Sequence, residues 1–275
     1  MPIGEITRGT TNTNRLRRVD RWIAAQPLLR LVDDPLVVDL GYGASAVTAL
    51  ELHQRLAKVR PDVEVVGLEI SPDRVATARN QLEAVRAGST GFAADARVSF
   101  ALGGFETPLP RGRRAAVIRA FNVLRQYDET DVVAAWHRMA GRLQGGGMLV
   151  EGTCDEIGRV SSWVALSPSG PQTFTLSVRL AGLEKPSIVA ERLPKVLIHR
   201  NVEGERIHTL LGDLDAAWQR NAPLSVYGPR QRWVASIRAL AAAGWPALGP
   251  ASRWRLGELT LPWASVAPRA FAYPG

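Results

Sequence analysis

The chain of 275 residues has one cysteine, Cys154, which excludes an internal disulfide and any cysteine-based metal cluster. Its four histidines, at 53, 137, 199 and 208, show no H-x-x-x-H pairing that would bring two imidazoles to one ion, so no metal is expected. No apolar run approaches the roughly 20 residues that span a bilayer. The opening MPIGEITRGTTNTNRLRR lacks the apolar stretch and small-residue cleavage site of a secretory signal. A cytoplasmic protein without a membrane partner is therefore expected. Lysine is also scarce, at 58, 185 and 195 only, so 31 of the 34 basic residues are arginine.

A hydrophobic fraction of 46% is ordinary for a globular protein and suits one medium domain, or one domain with a smaller attachment. The formal charge of +8 lies in the flanks: +3 in residues 1–21, +6 in 185–275, and −1 between them. Such flanks can attract RNA or a phosphorylated metabolite; Arg-rich coding bias is the plainer account.

The periodicity predicts a helix over 14–31, bent or broken near Pro27. LVVDLGYG (36–43) reads as a buried parallel strand ending in a glycine turn, followed by a helix over 45–59. VEVVGLEI (63–70) reads as a second strand, with Ser71-Pro72-Asp73 as a capped helix start. Strands follow at 97–104 and 115–124. Asp128 opens an amphipathic helix that Gly145-Gly146-Gly147 is expected to end, before a fifth strand at 148–154. Segments 161–166 and 172–180 read as an antiparallel hairpin at the sheet edge. Beyond residue 182 come three candidate helices (188–200, 207–220, 230–244) and a possible strand within 254–266. The expected fold class is α/β: a doubly wound, mostly parallel, seven-stranded Rossmann-like sheet with an antiparallel edge hairpin and a helical C-terminal extension.

Asp39-Leu40-Gly41-Tyr42-Gly43 sits where the first strand meets the first helix, and glycine there permits close approach of a nucleotide or nucleoside. Ala46 also satisfies the looser G-x-G-x-x-A dinucleotide pattern. Two carboxylates bear on the choice of ligand. Asp39 lies in the strand end, where the dinucleotide pattern needs no acid. Glu69 ends the second strand 28 residues after Gly41, against roughly 20 in the dinucleotide fold. Both favour a ligand without a pyrophosphate.

VVDLGYGAS resembles motif I of class I S-adenosylmethionine-dependent methyltransferases, and VVGLEISPDRVATAR resembles their second motif; the likeness spans roughly 36–154. It implies S-adenosyl-L-methionine as cofactor, Glu69 on the ribose, Ile70 along the adenine, and Gly41 and Gly43 against the methionine moiety with Asp39 close by. The family's acid after the third strand is missing. Gly104 and Phe105 are expected to border the adenine instead, although Phe105 suits the core equally well. Asn122, after the fourth strand, is expected to border cofactor and acceptor. No Asn-Pro-Pro-Tyr sequence is present, which argues against amino methylation of a base.

The implied layout is an N-terminal helical lid segment (1–30), a cofactor-binding Rossmann-like domain (31–182) and a mainly helical substrate or cap region (183–275). No general base is assigned; Asp155 and Glu156, after the fifth strand, are the candidates, with solvated loop carboxylates the commoner explanation. Arg8, Arg15, Arg17, Arg18 and Arg21 are candidates for closing over the cofactor or holding an anionic substrate, or for a plain charged helix. The acceptor class stays open, with a small molecule favoured over RNA. The alternatives are an NAD(P)-dependent oxidoreductase on the same sheet and a non-catalytic nucleic-acid binding module. Nothing in the sequence speaks to oligomeric state.

Overall fold

In the computed structural model, residues 2–9 and 11–274 are described. Five parallel strands form the left half of one sheet: β1 (Leu36–Leu40), β2 (Glu64–Glu69), β3 (Val98–Leu102), β4 (Ala115–Phe121) and β5 (Leu143–Cys154). Their order is β3-β2-β1-β4-β5, so the chain reverses direction across the sheet between β1 and β4. In open α/β sheets that reversal leaves a crevice at the strands' carboxyl ends.

Three antiparallel strands extend the sheet beyond β5: β6 (Val160–Ser167), β7 (Gly170–Val178) and β8 (Glu258–Pro262). The count is eight rather than seven, and the β6–β7 hairpin lies inside the sheet because β8 covers β7 as the last strand. The glycine run 145–147 also falls differently. It does not end a helix but lies inside β5, where Gly146 has φ +73° and the β4–β5 register shifts between Ala115 and Val117. A side-chain-free segment accommodates that irregularity.

Alternation along the strands sorts the core into two layers. Val37, Val65, Val117 and Val150 face α1 (Arg17–Ala24), α3 (Val47–Leu56) and α4 (Pro72–Arg86). A four-residue helix, α2 (Leu28–Leu31), follows the break at Pro27. Val38, Ile118, Leu149 and Val164 face α5 (Glu129–Ala140) and the C-terminal helices. There the expected helix over 188–200 divides into a 3-10 segment, Pro186–Arg192, and α6 (Lys195–Ile198). Pro194 lacks an N–H, and the residue before it, Leu193, is extended at ψ 146°. α7 (Arg206–Arg220) and α8 (Pro229–Ala242) pack Leu214, Trp218, Trp233 and Ile237 into the same layer as Leu176 and Leu259, and α9 (Ala251–Trp254) leads into β8. No helix among the described residues is long and apolar enough to cross a membrane.

One charge cluster crosses the first layer. Arg119, fully buried on β4, bonds Asp39 on β1 through Nε at 3.0 Å and Nη2 at 2.6 Å, and Asp20 on α1 through Nη1. Burial alone would lower the guanidinium pKa, but the two carboxylates more than offset it and hold it above its ordinary value. Arg55 on α3 shares Asp20 at 2.6 Å, and Thr48 donates to Asp39 at 3.0 Å. The helix α1 is thus tied to the sheet by charge as well as by burial of Val19, Trp22 and Ile23.

A second buried acid has no such support. Glu151, between Ala120 and Val164 across the ladder, is fully buried, and neither carboxylate oxygen has a hydrogen-bond partner among the described residues. Burial pushes its pKa up to about 8; the Trp136 indole only moderates this. Glu151 is therefore neutral in the folded protein at pH 7.

Two stability measurements follow. Arg119→Leu would leave Asp39 buried without its charged partner and Asp20 with Arg55 alone, and urea unfolding should show a loss of about 3–5 kcal/mol; a loss below 1 kcal/mol would show that the cluster is dispensable. For Glu151, the folded state binds the extra proton between the ordinary carboxylate pKa and about 8. Stability should therefore fall by about 1.4 kcal/mol per pH unit as pH rises through that window, and level off above it. Glu151→Gln should remove this component; identical pH profiles for the two proteins would contradict it.

Candidate functional site

The crevice between β1 and β4 is floored by the glycine turn. Gly41 and Gly43 adopt φ +70° and +86°, and a Cβ on Gly41 would lie 2.5 Å from Val123 Cγ2. Both constraints demand glycine. Glu69 joins this turn to the end of β2: Oε2 accepts the Gly43 N–H at 3.0 Å, and Oε1 accepts Ile70 and Ser71 N–H at 3.0 and 3.4 Å. Ser71 does stand at the N-cap of α4, but its hydroxyl makes no capping bond. The Glu69 carboxylate bonds the neighbouring amides instead. Arg74, on the first turn of α4, places Nη1 3.6 Å from Glu69; that buried nitrogen has no hydrogen-bond partner among the described residues.

Gly41, Gly43, Asp39, Thr48, Phe121 and Asn122 line a cavity of about 580 Å³. Asp39 lies at its wall with its carboxylate engaged by Arg119 and Thr48. Asn122 has φ +60°, a left-handed conformation that asparagine tolerates best among non-glycine residues. Its side chain is held at both ends, accepting the Cys154 N–H at 3.0 Å and donating to Cys154 Sγ at 3.3 Å. Cys154 is buried, and burial pushes its thiol pKa up.

The remaining sequence-selected residues line a different void. Glu69, Ile70, Gly104 and Phe105 surround a space of only about 20 Å³, shared with Ile3, Gly4, Glu5 and Thr7. An extended N-terminal strap fills the rest. Ile3 O accepts the Phe105 N–H at 2.9 Å, and Ile3 N–H donates to Glu106 Oε2 at 2.7 Å. Glu5 N–H bonds the Tyr127 hydroxyl, Thr7 O accepts from Arg74 Nη2 at 2.7 Å, and Gly9 O accepts the Ala44 N–H at 3.0 Å. Phe105 is buried edge-on against Tyr127 with ring centroids 5.2 Å apart. A Cβ on Gly104 would lie 2.1 Å from Ile3 O, and one on Gly43 would lie 2.8 Å from Gly9 O. These two glycines make room for the strap in this conformation.

The carboxylates after β5 separate. Glu156 lines the 580 Å³ cavity, with Arg192 Nη2 3.3 Å away; a backbone hydrogen bond and then Arg192 hold its pKa below the usual range. Asp155 lines a neighbouring cavity of about 870 Å³ and accepts the Arg159 N–H at 2.7 Å. The N-terminal arginines divide as well. Arg8 and Arg15 line the 580 Å³ cavity with Arg125 and Arg192, whereas Arg17, Arg18 and Arg21 line a separate groove with Arg179, Arg230 and Arg255. Among the described residues, no group of three His, Cys, Asp or Glu side chains converges as metal ligands would.

Sequence reasoning missed Arg119, Arg74, Arg125 and Arg192. Arg119 left one readable signal, a charge inside the apolar strand AAVIRAF, since a fully buried arginine requires a partner. Arg74 and Arg125 stand within five residues of the selected Glu69 and Asn122, but the hydrogen-bond partners of these two and of Arg192 come from distant segments: Thr7 O, Glu191 O and Glu156.

No family model and no curated protein matches the chain. Among solved structures, the mitomycin 7-O-methyltransferase MmcR matches 50% of this chain and 35% of its own at 24% identity and a TM-score of 0.37. The O-methyltransferase NcsB1 from neocarzinostatin biosynthesis, in complex with S-adenosyl-L-homocysteine and 1,4-dihydroxy-2-naphthoic acid, matches 47% of this chain and 34% of its own at 24% identity and a TM-score of 0.34. Magnesium protoporphyrin IX methyltransferase from Synechocystis PCC 6803 matches 50% and 53% at 18% identity and a TM-score of 0.36. This chain thus spans about a third of the length of the first two and about half of the third. At these TM-scores the likenesses carry no argument beyond the chain's own sheet order and crevice.

The strap can be released without touching the sheet. Gly104→Ala sets a Cβ against the Ile3 backbone, so hydrogen exchange over residues 2–9 should accelerate at least tenfold while β1, β2 and β4 keep wild-type protection. Unchanged exchange at the N-terminus would refute the close approach.

Proposed function

We propose that the chain is a class I, S-adenosyl-L-methionine-dependent methyltransferase acting on a small molecule. The observation that carries this reading is the convergence of Glu69 and the glycine turn, 3.0 Å apart, on one crevice at the point where the sheet order reverses. S-adenosylmethionine supplies a methyl group already made electrophilic by its sulfonium, so the chain's own task is to orient, enclose and exclude water.

In this reading Glu69 receives the ribose hydroxyls. Its weakest present bond, from Ser71 at 3.4 Å, is the one a hydroxyl replaces. Gly41 and Gly43 let the methionine moiety lie against the backbone, and Asp39 shapes that wall while staying matched to Arg119. Ile70, Gly104 and Phe105 border the adenine, which requires the strap to withdraw, because a cavity of about 20 Å³ admits only a single water. The lid is then the segment ahead of α1, since α1 itself is pinned by Asp20 on Arg119.

Asn122, held rigid by Cys154, faces the acceptor side of the larger cavity. No general base is needed where the acceptor is already nucleophilic; Glu156, ionised and beside Arg192, is better suited to orientation than to proton abstraction. The C-terminal region beyond 182 contributes Arg192 to the acceptor wall.

Isothermal titration of the full chain with S-adenosylmethionine and S-adenosylhomocysteine tests the reading. Both should bind, and Glu69→Gln should weaken both by about 10- to 100-fold, the effect of losing hydrogen bonds to a charged acceptor. Binding of NAD with neither ligand bound would replace the reading with an oxidoreductase. Steeply salt-dependent RNA binding without methyl transfer would replace it with a nucleic-acid module.

A further inference from the structure

Accepting the methyltransferase reading, we infer that the acceptor is a small anionic molecule whose carboxylate or phosphate is held between Arg125 and Arg192. Four guanidiniums, those of Arg8, Arg15, Arg125 and Arg192, line the 580 Å³ cavity with two carboxylates, Asp39 and Glu156. Asp39 is already matched by Arg119, which lies behind the wall. The cavity interior is therefore positive, since the other lining carboxylate, Glu156, is set against a single guanidinium, that of Arg192 at 3.3 Å.

The arginines fall into two groups along the chain. Arg8 belongs to the strap, and Arg15 precedes α1 and donates to Asp155 O at 3.0 Å. Arg125 and Arg192 stand beyond the carboxyl ends of β4 and β5, next to Asn122 and Glu156. Arg125 uses Nη1 on the Glu191 carbonyl at 2.9 Å, and Arg192 uses Nη2 on Glu156 at 3.3 and 3.4 Å. Each guanidinium carries five N–H donors, so among the described residues most of both forks remains available to a ligand. Burial, and then the charge of Arg192, draw the pKa of Arg125 below its ordinary value. An anion seated between the two forks removes that repulsion and satisfies the donors with the planar geometry that guanidinium pairs favour.

The volume sets the size class. About 580 Å³ lies within the roughly 300–1,000 Å³ of small-molecule sites, and the cavity must also take the methionine end of the cofactor. A compact acid fits beside that end, with its nucleophile directed toward Asn122. The cofactor's own carboxylate would be the competing claimant for an arginine, and Arg8 and Arg15, which line the same cavity as the glycine turn, would be the alternative partners for it.

The test uses the full chain saturated with S-adenosylhomocysteine, probed by calorimetry with 4-hydroxybenzoate, phenyl phosphate and the neutral methyl 4-hydroxybenzoate. At least one of the two anions should bind tenfold or more tightly than the ester, and the stronger one tells carboxylate from phosphate. The double variant Arg125→Met/Arg192→Met, checked for an unchanged melting temperature, should lose that preference and keep wild-type affinity for S-adenosylhomocysteine. Equal binding of ester and anions, or no binding of either anion, would overturn the inference. A fall in S-adenosylhomocysteine affinity in the variant would also overturn it, by assigning the pair to the cofactor's carboxylate. Failure of the wild type to bind S-adenosylhomocysteine would instead sink the methyltransferase reading, and the same anion-against-ester comparison without it would still decide the anion site.

Discussion

The guanidinium of Arg119 is fully buried in the interior of the sheet, and the surrounding elements are arranged to satisfy it. Asp39 reaches it from β1, Asp20 from α1, and the Thr48 carbonyl from α3 at 3.1 Å. A buried guanidinium in a low-dielectric setting is tolerable only with such partners, so these three elements have little freedom to shift relative to one another. Two consequences reach the crevice. Asp39 immobilises the strand end two residues before Gly41, and Asp20 fixes the point from which the N-terminal strap departs.

That departure point sets the path of the strap across the crevice. From α1 the chain runs back over the glycine turn and lies across Glu69, Ile70 and Gly104, using backbone hydrogen bonds to Phe105 and Ala44. The positions suited to an adenosine are those suited to an extended peptide: glycines that admit close backbone approach and exposed amides and carbonyls seeking partners. The strap therefore competes directly with the proposed ligand for the β2–β3 side of the crevice, while the β4–β5 side remains open.

The open side owes its character to arginines brought together from residues 8 to 192. Their sequence positions are unremarkable in a chain with 31 arginines, and several others gather elsewhere, around Arg18, in a groove that shares none of the crevice. What distinguishes Arg125 and Arg192 is location beside a rigid Asn122, not composition.

Much of the fold was legible because its signals are local. Buried parallel strands read as short apolar runs, and the β1 turn and the end of β2 carry their ligand-facing residues within a few positions of a strand terminus. The pairings and the occupancy were not legible. Nothing near residue 260 announces that it will cap β7, nothing in Gly145-Gly146-Gly147 tells a helix stop from an irregular strand, and nothing in the first nine residues foretells where they dock. Hydrophobic periodicity and turn chemistry act over a few residues, so the sequence by itself determined the layered α/β class and the Glu69–glycine pair. Ion pairing, void volume and backbone docking depend on segments far apart in the chain, so only the tertiary structure decided that Asp39 serves Arg119, that the strap fills the Glu69 side, and that the open side of the crevice is lined by arginines.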